Sequence, residues 1–352
     1  MGVLLLKPDD LQGLVSMKEA IDAVEQGYRE STNFPVINAP RRRVHSPAGV
    51  RISNFPGGVH ALGVMGAQVR AELVVQEGAN QRYDYREHPV HVLHDSGTGH
   101  LLAILFGEID EKTIGPTSLM AFRTAATSGV GFRHLVRHDA ATVGLFGAGG
   151  QAVNQLLALK TERPSIEHVR VYSRDPQNRE AFADKYSAQF GIEIVPVDAP
   201  DTLLDDVDVV LCATSTNVEL FDGSRLVAGQ HVTGIIGSNK QLVQGGFLPR
   251  PRREIDDNTA VKADVIVTNL KESMVSEEQG DLYGPIQAGL IDIADVYELG
   301  DLATAAHPGR TSDGQITYHK NNNGTGSSEM AMAMTAYRRA REEGRGTEID
   351  LG

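Results

Sequence analysis

The spacing of apolar residues divides the chain into two parts. Helical spacing over residues 17–30 is followed, between residues 36 and 106, by short apolar runs that are broken by Gly, Pro and Asn and predict strands. From Ala141 onward, strand-like runs alternate with helical stretches, which is typical of a parallel sheet with helices on both faces. We therefore predict an α/β protein, with a Rossmann-type doubly wound parallel sheet inserted into a second, α+β domain.

The same change of pattern predicts where the two domains divide. A helix predicted from about Ser118 to Val136 leads into the alternating part of the chain. A final helix, predicted from Glu329 to Glu343, is expected to pack back on the N-terminal part. We therefore predict one domain from residues 1–120 together with 315–352, and a Rossmann domain from residues 121–314.

Composition and charge narrow the class of protein. The formal net charge of −13 argues against a nucleic-acid-binding surface. The one cysteine, Cys212, excludes a disulfide within the chain, and its apolar surroundings favour a buried strand residue over a nucleophile. The first apolar run, Val3–Leu6, is too short for a signal peptide or a membrane span. These features predict a cytoplasmic protein.

A glycine-rich turn between a strand and a helix carries the strongest motif of the chain. It has the form G-x-G-x-x-A and consists of Gly147, Ala148, Gly149, Gly150, Gln151 and Ala152. Gly147 permits a tight turn, Gly149 lets the backbone approach a pyrophosphate, and Ala152 allows close packing of helix on strand. Because a strand, a helix and further βα units surround the turn, it predicts dinucleotide binding rather than a structural turn alone.

The strand after this motif bears on the choice of cofactor. It ends at Ser173 and Arg174, where NAD-dependent enzymes usually place a carboxylate for the ribose hydroxyl. A hydroxyl and a guanidinium suit a 2′-phosphate, which favours NADP(H), with Arg179 as a second phosphate contact. The alternative is that Arg174 is a solvated loop residue and Asp175 binds the ribose of NAD(H). Thr214, at the end of a later strand, is a further candidate cofactor contact.

At this point the chain resembles the ornithine cyclodeaminase/μ-crystallin family, which includes alanine dehydrogenases and ketimine reductases. The matching motifs, in chain order, are PRRR (40–43), FRTAATSG (122–129), LFGAGGQA (145–152), IIGSN (235–239), EQGDL (278–282) and ITYHKNNNGTG (316–326). The resemblance implies a homodimer formed through the non-Rossmann domain, which would also bind substrate. It implies an active site between the domains and hydride exchange between a nicotinamide and the α-carbon of an amino acid or its imine.

Several site residues are implied by this resemblance. Arg123 matches the arginine that grips the substrate carboxylate, and a planar guanidinium fork suits that role. Arg42 is the expected second carboxylate ligand, although the run of three arginines leaves Arg43 as an alternative. The resemblance also places three residues near the cofactor or its nicotinamide: Thr124, Gly237 and Ser238.

Two positions depart from the family pattern. The family usually carries a lysine after a Gly-x pair in the strand that matches residues 61–72, and the predicted equivalent here is Met65. Met65 is alternatively an ordinary apolar strand residue. If the alignment shifts, Gln68 or Arg70 occupies the space, and both have the strand parity opposite to that of Met65.

The second departure is in the motif IIGSN. Cyclodeaminases carry an aspartate just after its glycine, whereas this chain has Ser238 and Asn239, followed by Lys240. An amide or a hydroxyl can hold an imine by hydrogen bonding, but neither is a general base near neutral pH. Asn239 is therefore a candidate substrate-binding residue rather than a proton carrier.

Histidines offer a weaker set of candidates. His88, His91 and His94 share a spacing of three, but a strand sends His91 to the opposite face from the other two, so we predict no metal site. His45, close to the arginine run, is an alternative acid in the substrate cleft, against a structural histidine.

The combined interpretation is an NAD(P)H-dependent oxidoreductase acting on the C–N bond of an amino or imino acid. The missing lysine and aspartate favour an imine reductase, because a preformed C=N bond needs less proton transfer than deamination. Two alternatives stay open, a cyclodeaminase-type lyase and a μ-crystallin-like protein that binds NADPH and a small ligand.

Overall fold

The computed structural model describes residues 2–77, 80–237, 240–246, 249–321 and 325–351. Its N-terminal part consists of one long helix and a series of strands. The elements are β1 (Val3–Leu6), α1 (Met17–Asn33), β2 (Arg42–His45), β3 (Val50–Val59), β4 (Val64–Glu77), β5 (Asn80–Arg86), β6 (Val90–Asp95), β7 (Leu101–Phe106), β8 (Glu108–Glu111) and β9 (Gly115–Ser118).

The rest of the chain alternates strands and helices, as the apolar pattern predicts. The elements are α2 (Leu119–Leu135), β10 (Thr142–Phe146), α3 (Gly150–Glu162), β11 (His168–Tyr172), α4 (Pro176–Phe190), β12 (Glu193–Pro196), β13 (Val209–Cys212), β14 (His231–Gly234), α5 (Lys240–Gln244), α6 (Asp257–Lys262), β15 (Val265–Thr268), α7 (Lys271–Ser276), α8 (Gly280–Gln287), β16 (Val296–Glu298), α9 (Leu299–Ala303), β17 (Thr317–Lys320), α10 (Gly326–Glu343) and β18 (Thr347–Ile349).

The second part forms a parallel sheet. Its described strands lie in the order β12-β11-β10-β13-β14-β17-β15-β16, and each pair of neighbours is parallel. β17 lies between β14 and β15, so Thr317–Lys320 pairs within this sheet, whereas the sequence predicts residues 315–352 as part of the other domain. The division into domains otherwise stays a prediction. The predicted fold class, a doubly wound parallel sheet beside an α+β part, is confirmed.

The N-terminal sheet is mostly antiparallel. Its described strands run in the order β18-β1-β7-β6-β4-β3-β2, with β5 paired to β4, and only the β1–β7 pair among the described strands is parallel. Helix α10 packs on one face of β3 and β4. Gly57 makes this approach possible, because a Cβ on it would lie 2.4 Å from backbone atoms of Gly326 and Ser327.

Helix α2 joins the two sheets and is almost wholly buried. Ser118 starts it by accepting a hydrogen bond from the backbone of Ala121, as expected of a capping serine. Asn321, just after β17, donates hydrogen bonds to the backbone oxygen of Thr124 (2.8 Å) and to Ser128 Oγ (2.9 Å). The helix that begins with the motif FRTAATSG is therefore fixed to the parallel sheet at the edge where its strands end.

Candidate active site

A cleft lies between the face of β2–β4 that carries α10 and the carboxyl ends of β10, β13 and β14. This is the edge of a parallel sheet at which ligands usually bind. The described residues that line it come from both parts of the chain, and Gln151, Thr214, Ile236 and Gly237 form its sheet side. Among the lining residues seven are arginines, namely Arg41, Arg43, Arg51, Arg70, Arg86, Arg123 and Arg252.

The glycine-rich turn has the geometry that a dinucleotide requires. Gly147 has φ +109°, and a Cβ there would lie 2.4 Å from the carbonyl oxygen of Ala213, so no other residue fits. No described atom lies within 4 Å of a Cβ built on Gly149 or Gly150, which leaves the approach to α3 open. Gly149 begins α3 without a side-chain cap, so the first N–H groups of the helix remain available to phosphate oxygens.

Two more residues of the turn also suit the binding of a dinucleotide. Ala148 is half-buried, whereas Ala152 is fully buried where α3 meets the sheet, as the predicted close packing requires. Gln151 lines the cleft, and its buried Oε1 has no hydrogen-bond partner within the described part of the chain. The donors and the free space suit a nicotinamide dinucleotide whose pyrophosphate lies at the start of α3.

In the loop after β11, the two arginines that were expected to bind a phosphate have different environments. The Arg174 side chain is exposed, whereas Arg179 is buried, donates to the backbone oxygen of Ser173 (2.8 Å) and pairs with Asp198. Arg179 therefore shapes the loop instead of reaching a phosphate. The Asp175 carboxylate accepts from the backbone N–H of Gln177 at the start of α4 (3.0 Å), which occupies one of its oxygens as a helix cap.

Arg123 is held at the cleft by a buried carboxylate. Its Nη2 and Nε lie 2.7 and 2.8 Å from Glu329 Oε1, and both side chains are buried. His91 Nε2 lies 3.2 Å from the other oxygen of Glu329, so the carboxylate orients both groups. Arg123 Nη1 is buried without a hydrogen-bond partner among the described residues. It is therefore available to a carboxylate that enters the cleft.

The alternation of β4 decides which of its residues face the cleft. Gln68, Arg70 and Glu72 are buried on the α10 side, whereas Met65 is 45% exposed on the opposite face. The prediction that Met65 occupies the position of the family lysine in the cleft is therefore wrong. The chain has a second Gly-x pair, Gly66-Ala67, and the residue that follows it is Gln68.

Gln68 has the environment expected of a substrate-binding residue. It lies opposite Phe55 on β3 and opposite His91 on β6. Its side chain is fully buried, and neither amide atom has a hydrogen-bond partner in the described structure. A buried amide costs free energy unless its groups are paired, so this one indicates a ligand or water beside it.

Strand parity also shows which arginines of the run 41–43 face the cleft. Arg42 is exposed on the same outer face as Met65, so the prediction that Arg42 lies in the cleft is wrong. Arg41 and Arg43, on either side of it, line the cleft and bind Glu277 at 2.8 and 2.9 Å. Arg43, the alternative that the sequence left open, therefore lines the cleft.

Two carboxylates are strongly stabilised in their ionised form beside these arginines. Burial raises the pKa of Glu72, but the charges of Arg70, Arg51 and Arg86 outweigh it and lower the pKa to about 2. Burial likewise raises the pKa of Glu277, but the charges of Arg41 and Arg43 outweigh it and lower the pKa to about 2. Both carboxylates are therefore anionic at neutral pH and act as counterions in the arginine-lined wall.

A buried network that sequence analysis missed links two of the family motifs. Lys320 Nζ lies 2.5 Å from Asp281 and 3.4 Å from Glu254, and all three side chains are buried. Glu254 accepts from the backbone N–H of Ile236 (2.7 Å) and from Thr214 Oγ1 (3.3 Å). EQGDL and ITYHK thus meet as one ion pair beneath the cleft. Opposite charges within two separated motifs were the signal that could have found it.

The remaining candidates are placed as follows. Thr124 is buried, its hydroxyl donates to the backbone oxygen of Met120 (2.7 Å), and its contact with the cofactor stays a prediction. Gly237 and Thr214 line the cleft. Burial, and then the charges of Arg51 and Arg43, lower the pKa of His45, so it is neutral at pH 7 and is not a cationic acid. Ser238 and Asn239, two of the predicted site residues, lie outside the described residues.

Burial raises the pKa of the Cys212 thiol, as expected of the predicted buried strand residue. Across the described ranges, no group of three His, Cys, Asp or Glu side chains is arranged to hold a metal ion. None of the helices in those ranges is both long and apolar enough to cross a membrane.

Comparison with known proteins settles the family. A model of the ornithine cyclodeaminase/mu-crystallin family matches residues 3–344. The chain belongs to this family. A Δ1-pyrroline-2-carboxylate reductase of Bacillus cereus is 27% identical over 99% of the chain and 100% of that protein. An iminosuccinate reductase of Paracoccus denitrificans is 26% identical over 99% of the chain and 100% of that protein.

A solved structure of another family member has the same fold. It is the Thermococcus litoralis Δ1-pyrroline-2-carboxylate reductase in complex with NADH and L-proline, 28% identical, with a TM-score of 0.82 over 99% of this chain and 100% of that one. The family relatives confirm the predicted reaction class, an oxidoreductase that uses a nicotinamide cofactor at the C–N bond of an amino or imino acid.

Proposed function

We propose that this protein reduces the C=N bond of a 2-imino acid with NAD(P)H. The observation that carries the proposal is the buried Arg123 Nη1, which has no hydrogen-bond partner among the described residues and belongs to a side chain that lines a cleft beside the dinucleotide turn. A 2-imino acid places its carboxylate one bond from the carbon that receives hydride. An arginine fixed by Glu329 on one side can therefore hold that carbon at a constant position.

Each group of the cleft wall then has a defined task. Arg123, with Arg41 and Arg43, binds the α-carboxylate, and the Gln68 amide completes its hydrogen bonds. A bound NAD(P)H would supply the hydride that reduces the imine carbon. The nitrogen enters as the protonated iminium ion and leaves as an amine, so this reaction does not require the lysine and aspartate of the cyclodeaminases.

The test measures turnover and ammonia together. We expect steady oxidation of NAD(P)H with a panel of cyclic and acyclic 2-imino acids, followed by absorbance. Binding of NADPH without turnover on any member of the panel would favour a ligand-binding protein. Release of ammonia from a diamino acid, with no net change in cofactor, would favour a cyclodeaminase.

We also propose that NADPH binds more tightly than NADH. The support is the exposed Arg174 at the end of β11 and the use of Asp175 as the cap of α4. Replacing Arg174 by Ala is expected to weaken NADPH binding about tenfold and to leave the Kd for NADH nearly unchanged, since a charge-assisted hydrogen bond to phosphate is lost. The matched control is Lys185→Ala, an exposed cation farther along α4. An unchanged Kd for NADPH in Arg174→Ala would refute the assignment.

The outer face of the N-terminal sheet supports a homodimer. Val44, Ile52, Met65 and Val69 are between 37% and 65% exposed on this face. Several large apolar side chains on one exposed sheet face are typical of an interface. We propose that two copies pair through this face.

A further inference from the structure

The carboxyl ends of β13 and β14 form the part of the cleft wall that is expected to face the nicotinamide. β10, which leads into the dinucleotide turn, lies between β11 and β13 in the sheet. In a Rossmann fold, the adenosine half of the cofactor binds at the end of the strand that corresponds to β11. The nicotinamide half therefore extends the other way, over β13 and β14. Thr214, Ile236 and Gly237 line the cleft there.

One buried carboxylate ties these two strand ends together. Cys212 lies opposite Gly234 in the pairing of β13 with β14. Thr214 and Ile236, each two residues farther along the chain, therefore leave their strands at the same level. Glu254 Oε1 accepts a hydrogen bond from the backbone N–H of Ile236 (2.7 Å), and its Oε2 accepts one from Thr214 Oγ1 (3.3 Å). Glu254 is fully buried, so it would act on a ligand through these two lining residues.

A buried glutamine holds the end of β14 from another side. Gln279 Nε2 donates to the backbone oxygen of Ile236 (2.7 Å), and the Gln279 side chain is fully buried. Side chains therefore hold both polar groups of the Ile236 backbone, Glu254 at the N–H and Gln279 at the oxygen. Because Gly237 is the next residue and lines the cleft, a shift of this peptide would move the wall itself.

An ion pair fixes Glu254 in turn. Asp281 Oδ1 accepts from the backbone N–H groups of Glu254 (3.0 Å) and Ile255 (3.1 Å). Lys320 Nζ lies 2.5 Å from Asp281 Oδ2 and 3.4 Å from Glu254 Oε1. The packing is tight, since a Cβ built on Gly234 would lie 3.1 Å from Glu254 Oε1 and 3.3 Å from Lys320 Nζ. A side chain held in this way is preorganised, as a group that positions a site must be.

The amino ends of the same two strands provide a comparison. Half-buried Asp208, just before β13, accepts a hydrogen bond from the backbone N–H of Ala141 (2.8 Å). Buried Gln230, just before β14, donates to the backbone oxygen of Val207 (3.0 Å). A carboxylate and a glutamine thus tie the strands at both ends of the sheet. Those at the amino ends lie away from the cleft, so they represent a structural role alone.

We infer that Glu254 and Gln279 are positioning residues for hydride transfer, because they hold the cleft wall against which the nicotinamide ring lies. The inference rests on the proposed imine reduction and adds two residues that act on it through the wall. A fixed wall keeps the nicotinamide C4 at a constant distance from the imine carbon, and a small misplacement of reacting atoms slows a reaction strongly. A loosened wall therefore weakens binding of the nicotinamide half and slows hydride transfer, whereas the adenosine half is unaffected.

The first experiment compares each cofactor with the same molecule lacking nicotinamide. Calorimetry gives the Kd values of NADH and ADP-ribose, and of NADPH and 2′-phospho-ADP-ribose, so the ratio within a pair reports the nicotinamide half. Glu254→Gln and Gln279→Met are expected to lower the preference for the whole cofactor about fivefold, since hydrogen bonds that hold the wall are lost. The Kd of each compound lacking nicotinamide should stay at the wild-type value.

Two variants at the amino ends of the strands are the matched controls. Asp208→Asn removes a carboxylate and Gln230→Met removes a glutamine that tie the same sheet. Both should keep the wild-type ratio of Kd values, even where thermal unfolding shows a loss of stability equal to that of Glu254→Gln or Gln279→Met. A ratio that changes equally in all four variants would reduce Glu254 and Gln279 to structural residues and overturn the inference.

Single-turnover kinetics measure the hydride step itself. With bound NAD(P)H and a saturating cyclic 2-imino acid, Glu254→Gln is expected to slow cofactor oxidation about tenfold or more. A cofactor deuterated at C4 should then show a larger isotope effect than in wild type, because hydride transfer limits the rate more fully. KM for the imine should stay within about twofold of wild type, since Arg123 is unaltered. A raised KM with an unchanged hydride rate contradicts the inference.

The outcomes separate this inference from the proposed function. If no 2-imino acid is reduced, but Glu254→Gln and Gln279→Met weaken binding of NADH and not of ADP-ribose, the positioning role is supported and the proposed function fails. If imines are reduced and these variants behave as Asp208→Asn and Gln230→Met do, the function stands and the inference is overturned. Should Glu254→Gln fail to fold, Gln279→Met decides, because it removes no charge and leaves the pair of Lys320 and Asp281 intact.

Discussion

The two faces of β2–β4 are built from alternate residues of the same strands and have opposite character. The cleft face carries arginines, glutamates and a glutamine, all held by buried ion pairs or facing the cleft. The outer face carries Val44, Ile52, Met65 and Val69, which are largely apolar and exposed. Under the proposed function and the proposed dimer, neighbouring residues would therefore serve catalysis and assembly in turn. The parity of a position, rather than its closeness to a motif, determines its role.

Replacing Arg123 is expected to have the largest effect on activity of any substitution on the cleft face. Arg123→Gln should lower kcat/KM for the imine about a hundredfold or more, because the carboxylate contact is lost and Glu329 keeps its charge without a counterion. Parallel Arg42→Gln, on the outer face, should stay within about twofold of wild type. Steady-state kinetics and circular dichroism of both variants provide the check. Similar losses in the two variants would contradict the assignment of the faces.

Glu72→Gln tests whether the ion pairs of the cleft face stabilise the fold. We expect a loss of about 3 kcal/mol in the free energy of unfolding at pH 7, since three arginines keep their charges beside a neutral amide. The pKa of Glu72 is lowered from 4.5 to about 2 in the folded protein. Its stabilisation is therefore present above pH 4.5 and is lost as the pH falls toward 2.

Denaturant unfolding at several pH values measures this effect. Wild type should lose stability between pH 5 and about pH 2, and Glu72→Gln should lose less over the same interval, by about 3 kcal/mol. Glu167→Gln, at an exposed carboxylate, is the control and should follow the wild-type curve. Identical acid limbs in wild type and Glu72→Gln would show that the pKa of Glu72 is not lowered.

Gln68 and Met65 lie on opposite faces of β4, so substitutions at these two positions test directly whether the face of a residue determines its role. Gln68→Ala should raise KM or lower kcat about tenfold, because a buried hydrogen-bonding amide leaves the cleft. Met65→Ala should leave both constants nearly unchanged. For the same reason, a lysine introduced as Gln68→Lys reaches the cleft, whereas one introduced as Met65→Lys does not. An activity change in Met65→Ala alone would reverse this conclusion.

The smallest expected effect concerns the outer face. Ile52→Asp places a charge in the proposed dimer interface and should weaken self-association about tenfold or more while leaving the unfolding transition of the subunit in place. Light scattering across a concentration series measures the mass. Glu167→Gln again serves as the control. A variant that stays as dimeric as wild type would exclude this face as the interface.

Sequence predicted most of the fold because its signals are local. The strand–turn–helix around Gly147 and the alternation after Ala141 both depend on residues close in the chain, and the structure has the predicted elements. The orientation of side chains was harder to predict. Arg41, Arg42 and Arg43 include both parities, and the strand of Met65 contains two Gly-x pairs. Only the register of β3 against β4 distinguishes these choices.

The charged network was hard to predict because it is nonlocal, and opposite charges in two motifs do not by themselves show that the two segments meet. Asp281 and Lys320 meet only because β17 pairs with β14, whose end lies beside Glu254. Neither segment contains its own partner, so no spacing rule connects them. The same limitation explains why residues 315–320 were assigned to the other domain, since the sequence of a strand does not show which sheet it joins.

The position of β17 also has a consequence for how the protein is made. β17 follows every other strand of its sheet in the chain, yet it fills the gap between β14 and β15. On the ribosome, the strands up to β14 and the β15–β16 pair emerge with open edges that face each other. Because open edges pair readily with other chains, a nascent chain that stalls before Thr317 exposes two sites for aggregation, and completion of β17 removes both.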